Sequence, residues 1–401
     1  MKHGWGHKLE LSLLDFSHLT EELLGREVMI PSKRTVENEE VLNSSNISDY
    51  MILLTELTER NSSLRQKWGE GAPERFSDSE AELYAALQRL PEISTEVECV
   101  ERLDAMVIGQ LANHPNDEIA ALVFDFIEET LQVDGAEGVQ VLRKFAEEMN
   151  LGGFKELDEW RQVKHASILA LMHELGVDLT CWLREIITLM GEDLGVRYQL
   201  AELLSTILLD NASYLKIFIE SNGIEAVTLA IRSYIDSDPR TEEEREFLAN
   251  LFDILCMLDE NGKRRFVDYV DVLGRCLKCG KLVRVHGMRL LSFLIDLEDI
   301  RRSVGEGLLG VLFSIFMGSD TLKLQKLYGT STYYDLRKDQ EYILNVLGEL
   351  SHEFSLRERL AKKWGEDGKR ERLEKLKNAH TQDEVTMQCI NETLQTFFQD
   401  E

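Results

Sequence analysis

Six short apolar segments recur along the chain, and they restrict its fold more than any other feature of the sequence. In each segment, apolar residues flank one small or short polar residue, and successive central residues are roughly 35 to 56 residues apart. That spacing centres on the ~40–47 residues of armadillo and HEAT repeats, which are stacked helical units. The central residues are Asp125, Ala170, Ser205, Asp253, Ser292 and Gly348.

The segments are apolar on more than one side of a helix, as residues 123–127 and 251–255 illustrate. Such a helix must be covered by helices of its own repeat and of the next repeat. The short central residue is expected to let two helix backbones approach closely. The chain has five prolines, none of them after Pro239, and little period-2 alternation, so an all-α fold is predicted. An irregular bundle of unrelated helices is the alternative to a right-handed α-solenoid.

Turn and cap signals separate the predicted helices. Pro115 lies in the turn sequence NHPND, and Gly223 is predicted to end one helix as a C-cap glycine and to start another. Thr241 followed by Glu244 fits a capping box. Residues 318–339 form the longest break between segments, and an exposed loop is predicted there.

The formal net charge is −28, which disfavours direct binding of nucleic acid and of anionic membranes. The same charge attracts basic peptides, although a solvated acidic surface that keeps a helical protein in solution explains it equally well. The first residues lack the apolar stretch of a signal peptide. The longest apolar run, from Leu308, has about ten residues, half of what a membrane span requires. A soluble intracellular protein is expected.

Acidic residues follow or lie within the repeated segments and are candidates for binding basic peptides. If they line a groove, they can hold lysine and arginine side chains by charge-assisted hydrogen bonds. The alternative is that they end helices on the opposite, convex face. The candidates are Glu128, Glu129, Asp210, Asp253, Asp259, Glu260, Asp296 and Glu298.

Motifs for catalysis, cofactors or metals receive no support. GEGLLG at 305–310 has the glycine spacing of a dinucleotide site but no preceding strand, so a turn between helices is predicted. Cys276 and Cys279 have metal-ligand spacing without a second pair, which favours structural cysteines. No catalytic residue, cofactor or metal site is assigned. The basic segment 356–377 suits an import signal, a phosphate contact or, more commonly, salt-bridged exposed helices.

Four longer stretches resemble the beta-catenin-like protein 1 family, collinearly over about residues 50 to 395. They read RQKWGEGAPERFSDSEAELYAALQRL from 65, NHPNDEIAALVFDFIEE from 113, EEEREFLANLFDILC from 242 and LRERLAKKWGEDGKRERL from 356. The resemblance implies an armadillo-like fold with a helical N-terminal cap. It also implies a non-catalytic nuclear role with the spliceosome, beside a Myb-domain splicing factor and its complex. Family members recognise basic nuclear-localisation segments of splicing factors, and in animals they bind a cytidine deaminase.

This resemblance and the repeats together suggest four regions. Residues 1–48 are a divergent N-terminal segment and polar linker, 49–112 the helical cap, 113–354 the armadillo-like repeats and 355–401 the C-terminal helices. Residues 1–48 do not resemble the charged N-terminal extension of the family, which carries its import signal, and 135–158 match the family poorly.

The predicted function is therefore a spliceosomal protein-interaction scaffold in the nucleus that binds basic segments. A homodimer through a terminal apolar face is compatible with the sequence. An import or signalling adaptor of armadillo type is the alternative, but the tryptophans show none of the regular spacing that an import receptor needs in its groove. An enzyme with a helical fold would need a convergent polar cluster, which the sequence does not display.

Overall fold

Helices joined by short turns make up almost all of the described chain. The structure is a computed structural model that describes residues 41–131, 158–190, 195–209, 211–366, 368–379 and 384–398, and these residues contain no strand. The first ten helices are α1 Ile47–Trp68, α2 Ser77–Leu87, α3 Val97–Val100, α4 Ala105–Ala112, α5 Asp117–Leu131, α6 Glu159–Glu174, α7 Thr180–Met190, α8 Arg197–Leu208, α9 Ala212–Glu220 and α10 Gly223–Asp236. The others are α11 Glu242–Leu255, α12 Glu260–Phe266, α13 Val270–Lys278, α14 Leu282–Leu294, α15 Glu298–Gly307, α16 Leu309–Phe316, α17 Thr321–Tyr328, α18 Leu336–Ser351, α19 Arg357–Trp364, α20 Lys369–Ala379 and α21 Glu384–Phe398.

All six apolar segments predicted as repeat cores lie in helices that pack against one another in sequence order. These helices are α5, α6, α8, α11, α14 and α18, and α21 packs on α18 as a seventh member. We call these seven helices the central row. Each member contacts the next, which is the stacking expected of repeats rather than of an irregular bundle.

A second row covers one side of the central row. It consists of α7, α10, α13 and α15, and each of these helices contacts the next. The first three also pack on α8, α11 and α14, and α15 packs on α18. One hydrophobic core runs continuously between the helices, from Leu42 to Ile390. The prediction of an all-α solenoid is confirmed.

Local signals fix several helix starts. The predicted capping box at α11 is confirmed, because the Thr241 hydroxyl accepts a hydrogen bond from the Glu244 N–H and the Glu244 carboxylate returns to the backbone N–H of Thr241. Asn211 caps α9 and Asp335 caps α18 in the same way, with a side-chain oxygen on a first-turn N–H.

Two local predictions are wrong. The predicted loop 318–339 contains helix α17, whose Leu324 and Tyr328 are one turn apart and buried, so two apolar anchors suffice to hold two helical turns. Residues 318–320 and 329–335 remain irregular within it. Between α9 and α10, Asn222 rather than Gly223 takes the left-handed conformation, with φ of 60°. Gly223 is the first residue of α10, and a Cβ there would collide with the ring of Phe218.

Candidate functional site

One side of the central row is left partly open, and the predicted central residues lie on it. Asp125 is exposed, and the other five centres are half-buried, whereas their apolar neighbours are almost fully buried. At Gly348 the short central residue makes room for a side chain of the next helix, because a Cβ there would collide with the Cys389 thiol. At Asp125, Asp253 and Ser292 the central side chain instead contacts the next helix.

Polar contacts connect neighbouring helices along this open side. Lys164 on α6 donates to Glu128 at 2.6 Å and to Asp125 at 3.2 Å on α5. Arg289 on α14 is paired with Asp253 on α11. These lysine and arginine side chains come from the next helix of the row, so each acidic group already holds a cation.

The same arrangement continues with neutral groups toward α21. Asn345 on α18 donates to the Ser292 hydroxyl on α14 at 2.8 Å. The Cys389 thiol on α21 donates to the Leu344 carbonyl on α18 at 3.1 Å. Arg289 and Asn345 both stand three residues before the centre of their segment. The sequence prediction did not include these partners, although aligning the segments puts both residues in one column.

Lys164 illustrates the electrostatics of these contacts. Burial alone would lower the pKa of this ammonium group, but the Glu128 and Asp125 carboxylates outweigh burial and raise it. The lysine therefore stays charged, and the two carboxylates act as a cation-binding pair. Glu129, the next residue along α5, is exposed.

The candidates beyond the ends of α11 and α14 lie at helix starts. Asp259 caps α12 by accepting from the Gly262 N–H at 2.7 Å. Glu260 pairs with Arg264 at 2.5 Å within α12, and Glu298 pairs with Arg302 within α15. These three residues therefore begin helices, whereas the alternative given for them was that they end helices on the convex face. Asp210, the remaining candidate of this kind, lies outside the described residues.

Asp296 holds a cation between two helices. Lys263 on α12 donates to both of its carboxylate oxygens, at 3.0 and 2.9 Å, and to the Phe293 carbonyl at 2.8 Å. The ammonium also lies 3.9 Å from the centre of the Phe293 ring, where the π face attracts it. Asp253 and Asp296 thus both bind a basic side chain from a neighbouring helix.

Two depressions meet at Arg289. The first, of about 340 Å³, lies over α8, α11 and α14 and is lined by Ser205, Thr206, Leu209, Asp253, Cys256, Met257 and Arg289. The second, of about 270 Å³, is more enclosed and lies between α11, α14 and the start of α18. It is lined by Ala249, Val285, His286, Arg289, Thr332, Tyr333, Asp335, Lys338, Asp339 and Tyr342. Arg289 is therefore shared by both.

A buried ion pair stands beside the second depression. Arg284 on α14 donates to Asp339 Oδ2 on α18 at 2.7 Å, and their side chains are 1% and 4% exposed. Burial, only partly offset by Arg284, raises the pKa of Asp339. Asp339 Oδ1, Arg284 Nε and Nη1, His286 Nε2 and the Tyr334 hydroxyl have no hydrogen-bond partner among the described residues. We call Arg284, His286, Tyr334 and Asp339 the Arg284–Asp339 junction.

A second buried polar group lies near the start of the described chain. The backbone N–H of Asn116 donates to His114 Nδ1 at 3.0 Å, so the ring proton is on Nε2, which lies 3.0 Å from Asn61 Oδ1. Asn61 Nδ2 in turn donates to the Ser79 hydroxyl at 2.8 Å. Burial, followed by the charge of Arg65, lowers the pKa of His114 to about 4. We call Asn61, Ser79, His114 and Asn116 the His114 network.

The cysteines are placed as structural residues. Cys276 is buried, and the half-buried Cys279 donates its thiol to the Cys276 carbonyl at 3.0 Å. Burial raises the pKa of Cys256 and of Cys276 to about 12. Over the ranges that the structure describes, no group of three or more His, Cys, Asp or Glu side chains could hold a metal ion. No helix within these ranges is long and apolar enough to cross a membrane.

The other two motifs are helical. GEGLLG covers the point where α15 ends at Gly307 and α16 begins at Leu309, in line with the predicted turn. The basic segment forms α19 and α20, joined by Glu366, which accepts from Lys363 at 2.9 Å and from Lys369 at 2.6 Å. The salt-bridged helix pair is confirmed, but Trp364 at the end of α19 and Lys369 are buried.

Comparisons with known proteins agree with this architecture. Beta-catenin-like protein 1 of Rattus norvegicus is 23% identical over 379 residues, which cover 84% of this chain and 66% of the rat protein, and the Homo sapiens protein gives the same figures. The chain thus spans just under two thirds of the length of these relatives. A chain of the SYS-1/POP-1 crystal complex is 15% identical with a TM-score of 0.32, covering 86% of this chain and 63% of that chain.

A protein-family model also matches most of the chain. The family is described as "Catenin-beta-like, Arm-motif containing nuclear", and the matched residues are 27–157 and 177–400. The match includes residues 27–48, part of the segment predicted to be divergent. Because it covers most of the chain, the protein belongs to the catenin-beta-like, Arm-motif containing nuclear family.

Proposed function

We propose that this protein is a non-catalytic interaction scaffold of the spliceosome that binds basic, nuclear-localisation-like segments of splicing factors. The partners are the Myb-domain splicing factor and its complex, and the location is the nucleus. The description of the family as nuclear and Arm-motif containing supports this proposal. The formal charge of −28 supports a basic rather than an acidic partner.

One observation carries the proposal. Acidic side chains hold lysine and arginine side chains from a neighbouring helix, at Glu128 and Asp253 on the open side of the central row and at Asp296 just after α14. The geometry that binds an internal cation also suits a cation on a partner peptide. Because such acidic side chains recur along the row, they suit a basic segment bound in an extended conformation. Several weak contacts to that segment would then add up to a useful affinity.

Affinity purification of the tagged protein from nuclease-treated nuclear extract, at two salt concentrations, tests the assignment. Nuclease removes partners tethered only through RNA, and higher salt weakens contacts between exposed charges. We expect the Myb-domain splicing factor and its complex, with recovery falling at the higher salt. Recovery of import receptors or membrane-associated adaptors alone contradicts the splicing role and favours the adaptor alternative.

Direct binding tests the acidic surface. We expect Asp253→Asn to weaken binding of a fluorescein-labelled oligolysine peptide in an anisotropy titration, since it removes one of the carboxylates on the open side. Asp271→Asn is the matched control, because Asp271 is exposed on α13 in the second row. Equal weakening by both variants shows that only the net charge matters, and the central row then loses its role as the binding surface.

A further inference from the structure

Arg289 is the one residue that lines both of the depressions described above. Its guanidinium pairs with Asp253 in the first depression, and its side chain also lines the second. The two side chains are 34% and 37% exposed, so a partner in solution can reach the pair. An ion pair at this exposure contributes little stability and is readily exchanged.

The second depression contains an acceptor that lacks a donor. Asp339 is 4% exposed and lines this cavity, and its Oδ1 has no partner among the described residues, while Arg284 occupies only Oδ2. A buried carboxylate oxygen without a donor costs free energy, and a cation brought to it lowers that cost. Arg289 and Lys338 both line this cavity, and of the two only Arg289 also lines the first depression.

We propose that Arg289 is a displaceable internal cation: a lysine or arginine of the bound segment replaces it on Asp253, and Arg289 turns into the second depression toward Asp339. This inference rests on the proposed function and names its regulation. In the exchange Asp253 keeps a cation, while Asp339 keeps Arg284 on Oδ2 and gains Arg289 on Oδ1. The partner is therefore a peptide whose basic side chain enters the depression over α8, α11 and α14.

The position of Arg289 in the unbound protein determines whether the internal pair weakens or strengthens peptide binding. Because Arg289 rests on Asp253, that position has the lower free energy, and moving the side chain toward Asp339 opposes binding. Removing Arg289 abolishes this opposition and leaves Asp253 open to the incoming cation. The internal pair thus weakens the binding of isolated basic residues and selects segments whose other contacts compensate.

An anisotropy titration of the full chain with a fluorescein-labelled oligolysine peptide tests the inference. We expect Arg289→Gln to tighten binding by about two- to fivefold, the equivalent of one partly exposed ion pair. Arg302→Gln is the matched control, because it removes the same charge from an exposed pair within α15. In the Asp253→Asn background, Arg289→Gln is expected to leave the affinity for the peptide unchanged.

The outcomes separate the two proposals. If Arg289→Gln leaves the affinity at the level of Arg302→Gln, or weakens it, Arg289 is not displaced, although the protein still binds basic segments. If neither the unmodified protein nor any variant binds the peptide, both proposals are wrong. As a second readout, the Nε–H NMR signal of Arg289, assigned by its loss in Arg289→Gln, is expected to shift on peptide addition. Peptide binding without that shift would show that Arg289 does not move, and the inference would be wrong.

Discussion

The His114 network and the Arg284–Asp339 junction are both buried polar groups, but only the first is complete. In the network, the buried side-chain atoms of Asn61, Ser79 and His114 all have partners. In the junction, five buried side-chain atoms lack a partner among the described residues. A satisfied network specifies one arrangement, whereas an unsatisfied one leaves free energy to be gained by rearrangement or by a ligand.

The local chain explains the difference. His114 sits in the turn before α5, where the neighbouring backbone N–H of Asn116 supplies a donor two residues away. The junction instead joins α14 to α18 beside the irregular segment 329–335, and its ion pair spans 55 residues of sequence. Nothing within a helix supplies the missing partners there.

The largest effect is expected for Asp339→Ala. It leaves the fully buried Arg284 without its carboxylate, and breaking a buried pair in this way costs about 3–5 kcal/mol of unfolding free energy. Urea unfolding of the variant measures this cost. The double variant Arg284→Met with Asp339→Leu replaces both charges by apolar side chains and is expected to recover most of the loss. A loss as small as that of Glu298→Gln, at an exposed pair, would show that Arg284 finds another partner.

Replacement of His114 by leucine is expected to cost about 2–3 kcal/mol at pH 7, because each buried polar group left unpaired costs about 1–3 kcal/mol. Asn61 and the N–H of Asn116 lose their partners while the apolar volume is roughly kept. Urea unfolding at neutral pH gives the value. Stability equal to that of the unmodified protein would mean that the network contributes nothing, and the contrast with the junction would disappear.

Acid is expected to destabilise the fold through its buried histidines. The pKa values of His114, His165 and His286 are lowered to about 4, chiefly by burial. In the unfolded chain a histidine has a pKa near 6.5, so below that pH it binds a proton that the folded protein does not bind. The free energy of unfolding is therefore highest above about pH 6.5 and falls as the pH drops toward 4. Each histidine contributes a loss of about 2 kcal/mol at pH 5.

The His114→Leu variant isolates one of these contributions. Between pH 7 and pH 5 it is expected to lose about 2 kcal/mol less than the unmodified protein, since its own titrating group is gone. Urea unfolding at the two pH values provides the comparison. An identical loss in both proteins would place the acid sensitivity on other groups, such as carboxylates in ion pairs.

The smallest effect is expected for His286→Phe. The Nε2 atom of His286 has no partner among the described residues, and its ring stacks on Phe252 with centroids 5.5 Å apart, a contact that phenylalanine keeps. We therefore expect stability within about 1 kcal/mol of the unmodified protein at pH 7. Calorimetric or urea unfolding measures it beside His114→Leu. Equal costs for the two variants would show that completeness of hydrogen bonding does not distinguish the two groups.

Periodicity was enough to predict the fold, because every segment is apolar on more than one side of its helix and must be covered by neighbouring helices. The six predicted segments are the cores of successive helices in the central row. The predictions failed where a few side chains decide the structure: α17 is held by Leu324 and Tyr328 in a stretch rich in turn residues, and Asn222 substitutes for glycine in a left-handed position.

The candidate site was predicted only in part. Sequence identified the carboxylates of Asp253 and Asp296 but not the cations on them, because Arg289 and Lys263 are 36 and 33 residues away. A pairing over such a distance depends on how two repeats are aligned in space. Arg284 was hidden for another reason: it lies in an apolar run, and its partner Asp339 is the last residue of the segment 318–339, which was predicted to be a loop.

The placement of the cysteines has a practical consequence. Of the six thiols, five are buried or half-buried and Cys181, on α7 in the second row, is exposed. Reagents such as maleimides react with accessible thiolates, and the raised pKa of the buried thiols slows their reaction further. The folded protein therefore offers one built-in attachment point for a fluorophore, on the second row and away from the open side of the central row.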